Sequence, residues 1–167
     1  MTRDIVERVD GLVHPETQLR EHGIDLTVSA IHEVVEPGSI DFGGDELAEA
    51  EFEPHELTKR DPDDEYEWWN LDAGQYVLQY NEFLVDGGDA RLMLQPRNKL
   101  LARGTSHPTV TVGDHLPLMP VSVGGAGIRI KENARVSTLV PVHAGPGAVD
   151  EPLTDDGLTD DATVVEE

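Results

Sequence analysis

Arg91, Gln95, Arg97, Lys99 and Arg103 place five nitrogen-bearing side chains within thirteen positions of a chain that carries only 12 Lys and Arg against 34 Asp and Glu. Donors crowded in this way suit the capture of an anion. Leu92, Leu94 and Pro96 alternate with polar neighbours, the period of a strand, and Pro96, which cannot donate to a ladder, ends it. Residues 98–103 then spell one short helical turn, with Asn98 as cap and Gly104 as stop. A strand that runs into a helix start turns backbone N–H groups and a local positive field towards an anion, and Arg97 offers a phosphate a two-pronged contact. The competing reading is that these cations only offset nearby carboxylates, as ion pairs do wherever charge is dense.

The elements that must position this stretch are short strands. Residues 22–28 alternate apolar and polar side chains and continue through Ile31 to Val35, before Glu36-Pro37-Gly38-Ser39 turns the chain. Asp25 is a polar residue inside that strand, and either a turn-closing hydrogen bond or a ligand role fits it. Residues 75–85 alternate and end at Asp86-Gly87-Gly88-Asp89, which predicts a hairpin or corner with the 90–96 strand. Residues 109–112 form another strand. Residues 116–123 follow as an apolar run that Pro117 and Pro120 push to an edge or bulge. Gly124-Gly125-Ala126-Gly127 and Glu132-Asn133 turn the chain into strands at 128–131 and 134–142. Turns every eight to twelve residues predict an all-β sandwich or barrel.

At the N-terminus, residues 2–13 put Ile5, Val9, Leu12 and Val13 on one helical face with Thr2 as cap, which predicts a short amphipathic helix. Residues 41–72 are crowded with Asp and Glu and lack periodicity, the pattern of a solvated loop or ribbon. Trp68 and Trp69 inside it favour packing against the core over an aromatic ligand platform. Residues 1–143 read as one domain. Residues 144–167, dominated by Gly, Pro, Asp, Thr and Glu, read as an acidic disordered tail.

Composition narrows the function. A net charge of −22 in 167 residues opposes broad contact with nucleic acid polymers or anionic membranes, and leaves local capture of a small anion. Self-repulsion of that size calls for screening by salt, which points to a halophilic setting. The absence of cysteine removes disulfides, thiol catalysis and thiolate zinc sites. The seven histidines are scattered, with no pair four residues apart on a helix to suggest a zinc enzyme. No apolar signal core or membrane span is visible, so the expected location is the cytoplasm.

Three segments in order carry a resemblance. They are His22-Gly23-Ile24-Asp25-Leu26-Thr27-Val28, then Gln95-Pro96-Arg97-Asn98-Lys99-Leu100-Leu101-Ala102-Arg103-Gly104, and then Ile128 to Val140. In the last, Arg135-Val136-Ser137-Thr138-Leu139-Val140 stands where the family has an Arg-Ile-(Ala/Gly)-Gln-Leu-Val run. The chain resembles the deoxycytidine triphosphate (dCTP) deaminases and trimeric deoxyuridine triphosphatases (dUTPases), particularly their archaeal branch. The resemblance implies a distorted β-barrel or jelly roll assembled as a homotrimer, with nucleotide sites between subunits and Mg²⁺ held chiefly through the triphosphate. It implies phosphate binding at Arg97 with Asn98, Lys99 and Arg103 beside it. The family serine is replaced by Asn98, and the second arginine, expected at 102, is displaced to Arg103 by Ala102. The reaction needs a carboxylate near the pyrimidine. The returning strand, 118–123, carries no acid, so Asp114 is the catalytic candidate.

Two functions follow. The first is dCTP deamination to dUTP, with or without dUTP diphosphatase activity. The second is a non-catalytic relative that binds a nucleotide or a protein partner, with Asp114 merely closing a Gly-Asp turn.

Overall fold

The structure, a computed structural model, describes residues 5–85 and 91–142. The acidic segment 144–167, the cap at Thr2 and the Asp86–Asp89 turn lie outside the described residues. The elements are β1 (Val9–Asp10), α1 (Pro15–Gln18), β2 (Leu19–Arg20), β3 (Gly23–Glu36), β4 (Glu51–Pro54), β5 (Leu57–Thr58), β6 (Trp68–Leu71), β7 (Gly74–Tyr80) and β8 (Phe83–Leu84). They continue as β9 (Leu92–Pro96), α2 (Asn98–Leu101), β10 (Thr105–Ser106), β11 (Val110–Val112), β12 (Met119–Val123), β13 (Ile128–Lys131) and β14 (Arg135–Pro141). The fold is all-β, with two four-residue helices, α1 and α2, as its named helical elements.

The 14-residue β3 is the axis of a nine-stranded sheet ordered β10-β12-β7-β3-β14-β9-β11, with β2 and β4 also paired to β3. Its first half pairs with β14, where Asp25 faces Thr138, and its second half pairs with β7 through Ile31 and Leu78. Register shifts between Val28 and Ala30 and between Arg135 and Ser137 let one strand serve both halves, because a bulge bends and twists the ladder. Gly23 opens β3 where any Cβ would collide with the Leu139 carbonyl. Ile24, Leu26, Val28, Leu94, Met119 and Leu139 are fully buried and form the centre of the core. Burying each such side chain is worth about 1.5–3 kcal/mol, so the two halves are held by a shared apolar interior. A second sheet, β13-β6-β5, packs alongside.

Several expectations change. Ile5 and Val6 are helical, but Val9–Asp10 is a strand paired with Leu84 and Phe83. Gly11, at φ +78, takes a left-handed conformation that no helix continues through. Ile5 and Val9 are still buried, so the apolar face docks as expected while the element type differs. Strands β7 and β9 form no hairpin: β3 and β14 stand between them, because cross-strand partners are set by the core and not by the nearest turn. Residues 41–72 contain β4, β5 and β6, a ribbon with acids on its outer face. Pro120 does occupy an edge: β10 pairs only with Ser122 and Val123, leaving that side of Pro120 without a ladder partner.

Candidate functional site

Asp25, Thr138 and Gln95 lie side by side on β3, β14 and β9, since Asp25 pairs with Thr138 and Thr138 with Gln95. The sheet thereby puts the middle of the first motif beside the second and third. Arg97 follows directly after β9; its N–H donates to the Val136 carbonyl at 3.0 Å, which fixes the turn into α2. Arg97, and not Asn98, is the N-cap residue, and its side chain does no capping because it reaches across to β3.

The centre of the cluster is the Asp25 carboxylate, with 4% of its side chain exposed. Its Oδ2 lies 3.2 Å from Arg20 Nε, 3.3 Å from Arg97 Nε and 3.1 Å from Arg135 Nη1. Thr138 Oγ1–H donates to Oδ1 at 2.9 Å. Arg97 Nη1 also donates to the Arg135 carbonyl at 3.2 Å, and Arg135 Nη1 to the Thr17 carbonyl at 3.0 Å. Three guanidiniums around one carboxylate leave two positive charges in excess. Like charges at contact separations repel by about 1–4 kcal/mol per pair between bulk water and a protein surface. Burial lowers the pKa of Arg97, Asp25 opposes that shift, and Arg135 and Arg20 add to it. The group stays charged, and the excess is a standing demand for an anion.

That excess opens into a cleft of about 370 Å³ lined by Arg20, Asp25, Gln95, Arg97, Asn98 and Lys99 among others. Asn98 and Lys99 are exposed at its rim. Arg97 and Lys99 also border a neighbouring, more apolar cavity of about 280 Å³, floored by Leu100, Ile130 and Val136 and reached by Trp68. With only four residues, α2 contributes little dipole, so side-chain cations and not the helix start supply the field.

The sequence candidates separate. Arg97, Asn98 and Lys99 share the first cleft. Arg103 is absent from that cleft; its Nη1 donates to the Lys99 carbonyl at 2.8 Å, and it lines the neighbouring apolar cavity together with Arg97 and Lys99. Asp114 is exposed in the β11–β12 connection, next to Gly113, whose carbonyl accepts from Arg8 Nη2 at 2.8 Å. Asp114 does not line the Arg97 cleft of its own chain. Arg20, Arg135 and Thr138 were missed as site residues; the signal for them was Asp25, a carboxylate in an apolar strand that needed cationic partners. Trp69 is buried as core, whereas Trp68 is half-buried and lines the apolar cavity.

Two other polar clusters carry no excess charge. Glu82, 3% exposed, accepts from Gln18 Nε2 at 2.6 Å, Thr27 N at 2.8 Å and Thr27 Oγ1 at 2.6 Å, and so fixes the strand that carries Asp25. His107 donates from Nδ1 to the Pro108 carbonyl at 2.9 Å, leaving Nε2 to accept from Ser137 Oγ at 2.7 Å. Ser137 in turn accepts from the Tyr80 hydroxyl at 2.6 Å. Burial lowers the pKa of His107 and raises that of Tyr80. Among the described residues no group of three or more His, Asp and Glu is placed to hold a metal ion, and no helix is long and apolar enough to cross a membrane.

No family model matches the chain. Over 136 residues it is 26% identical to a probable deoxyuridine 5'-triphosphate nucleotidohydrolase of Methanosarcina acetivorans, covering 79% of this chain and 76% of that protein. It is 25% identical over 139 residues to the protein of the same name in Methanococcoides burtonii, covering 81% and 78%. A Methanosarcina mazei relative, also so named, matches at 26% over 136 residues. Among solved structures, the 2'-deoxycytidine 5'-triphosphate deaminase of Agrobacterium tumefaciens shares the fold, with a TM-score of 0.50 and 12% identity over 80% of this chain. The chain spans 42% of the length of that deaminase.

Proposed function

The chain belongs to the dUTPase and dCTP deaminase family, and from that premise we propose that it is a hydrolase of pyrimidine deoxynucleoside triphosphates that cuts dUTP to dUMP and diphosphate. The observation that carries the reading is the excess of two positive charges around Asp25, open to a cleft sized for phosphates. In this reading Arg97 grips the phosphate chain with Arg20 and Lys99, and Asn98 donates from its amide at the rim. Arg103 does not line this cleft and stands outside the grip.

The attacking water needs a base. Asp114 is the candidate, and because it stands apart from Arg97 within one chain, it serves the cleft of a neighbouring subunit in a homotrimer. Asp25 is committed to three guanidiniums and Thr138, so it does not double as a metal ligand. Mg²⁺ fits this site only when carried in on the triphosphate, where it neutralises part of the phosphate charge.

Deamination of dCTP, the reaction the sequence resemblance puts first, is the second reading. One assay separates them: the purified chain is incubated in molar KCl and Mg²⁺ with dUTP or dCTP, and the products are resolved by anion exchange. The account expects dUMP and diphosphate from dUTP, lost in Arg97→Ala and in Asp114→Asn. Uracil nucleotides released from dCTP would move the assignment to deamination. A nucleotide-induced rise in melting temperature without product from either would replace both by a binding protein.

A further inference from the structure

The apolar cavity beside Arg97 joins two cationic clefts. Arg97 and Lys99 line both that cavity, of about 280 Å³, and the cleft at Asp25. Trp68, Arg103, Ile128 and Arg129 line both the cavity and a further cleft of about 590 Å³, which also takes in Arg60. The floor of Leu100, Ile130 and Val136 therefore lies between one cleft that holds phosphate in the nucleotide reading and a second that this reading leaves empty.

The cations of the second cleft are held without being neutralised. Among the described residues Arg60, Arg103, Arg129 and Lys131 form no ion pair with a carboxylate, and Asp72 is the one acid on the walls of the cavity and the second cleft. Neutral groups position three of them instead. The Arg60 guanidinium lies 4.2 Å from the Trp68 ring centroid, and Lys131 Nζ lies 5.5 Å from the Tyr66 ring and 5.6 Å from that of Trp68. Arg103 donates to the Lys99 carbonyl. A ring face or a carbonyl orients a cation and leaves its charge in place, so this cleft keeps a positive field within a chain of net charge −22.

A ligand that fills all three spaces has an apolar ring in its middle and an anion at each end. An inorganic polyphosphate would waste the apolar floor, and dUTP, with phosphate on one side of its sugar, would leave Arg60 and Arg129 unmet. We propose that the site takes a pyrimidine deoxynucleoside phosphorylated on both its 5' and its 3' oxygens. The 5' phosphate lies at Arg20, Arg97 and Lys99, the base lies on Leu100, Ile130 and Val136 beside Trp68, and the 3' phosphate lies at Arg60 and Arg129. The inference rests on the nucleotide reading and deepens it by a 3'-phosphate subsite.

The test is titration calorimetry on the full chain at one fixed salt concentration without Mg²⁺, using three probes: deoxyuridine 3',5'-bisphosphate, dUMP, and deoxyribose 3,5-bisphosphate, which lacks the base. The bisphosphate should bind about tenfold or more tighter than dUMP, since its added phosphate meets guanidiniums that no carboxylate neutralises. Arg129→Gln and Arg60→Gln, both at exposed positions, should each erase most of that gain and leave the affinity for dUMP as it was. The probe without a base should bind about tenfold or more weakly than the full bisphosphate. A bisphosphate that binds no tighter than dUMP, an Arg129→Gln variant that loses both ligands equally, or a baseless probe that binds as well as the full one would overturn the proposal. The two readings fail differently. If dUMP binds through Arg97 and the 3' phosphate adds nothing, the subsite is wrong and the nucleotide reading stands; if wild type binds no nucleotide at all, both fall.

Discussion

Asp25 and Glu82 are both carboxylates with 3% of the residue exposed, and both brace β3, yet their surroundings are opposite. Glu82 is met by an amide, a hydroxyl and a backbone N–H, all neutral, although it too borders a cavity, of about 360 Å³. Asp25 is met by three guanidiniums and borders a cleft of about 370 Å³. A buried acid satisfied by neutral donors is a strut. A buried acid outnumbered by cations at the edge of solvent holds those cations in place for something else to complete. The difference separates a structural cluster from a binding one, although burial alone ranks them equal.

The comparison can be broken by substitution. Glu82→Ala strands three buried donors, and the expected loss is about 3–5 kcal/mol of unfolding free energy, read as a drop in the urea midpoint. Asp25→Asn removes the carboxylate that the three guanidiniums share and should cost about 2–4 kcal/mol in the absence of ligand. The sharper outcome lies in the ligand dependence. Added dUTP should recover much of the Asp25→Asn loss, because its phosphates replace the missing charge, and should leave the milder Glu82→Gln loss unchanged. Equal recovery in the two variants would show that the distinction between them is wrong.

Salt acts on both clusters less than on the surface. With a net charge of −22, the wild-type melting temperature should rise steeply between low ionic strength and about 0.1 M KCl, where the screening length falls to roughly 10 Å, and continue upward in molar salt. A flat salt response would remove the halophilic reading. The smallest expected effect belongs to His107. Its folded pKa lies below the ordinary value near 6.5, so the unfolded chain binds a proton that the folded chain refuses. Stability should therefore fall as pH drops from roughly 6.5 towards the folded pKa, and His107→Asn should flatten that slope, as thermal melts at pH 5.5 and 7.5 would show.

Much of this was legible in the chain. The period-two pattern from His22 to Val35 gave the axial strand because Ile24, Leu26, Val28 and Ile31 are buried, although Val34 and Val35 are exposed, and Pro96 before Arg97 marked where a strand yields to a turn. The helix itself stops earlier than expected, at Leu101 with Ala102 as C-cap, and Gly104, at φ +73, closes the turn that follows it. What periodicity does not carry is partnership. Nothing local says that β9 lies beside β14 and not beside β7, so the Asp25 cluster, built from residues 20, 25, 97, 135 and 138, was visible only as separate hints. The strands within the expected loop or ribbon at 41–72 could not be placed because they are only two to four residues long, too short for alternation to show. Asp114 is the reverse case: prominent by elimination in sequence, yet exposed and distant from the cleft in one chain.

The central claim is that the cations around Asp25 are there to hold phosphate. Titration calorimetry of a non-hydrolysable dUTP analogue into wild type and Arg97→Ala, in molar KCl with Mg²⁺, tests it most directly. The account predicts tight binding to wild type and a loss of about 2–3 kcal/mol in the variant, roughly 30- to 150-fold in affinity, at an unchanged fold. Equal affinity for the two proteins would contradict it.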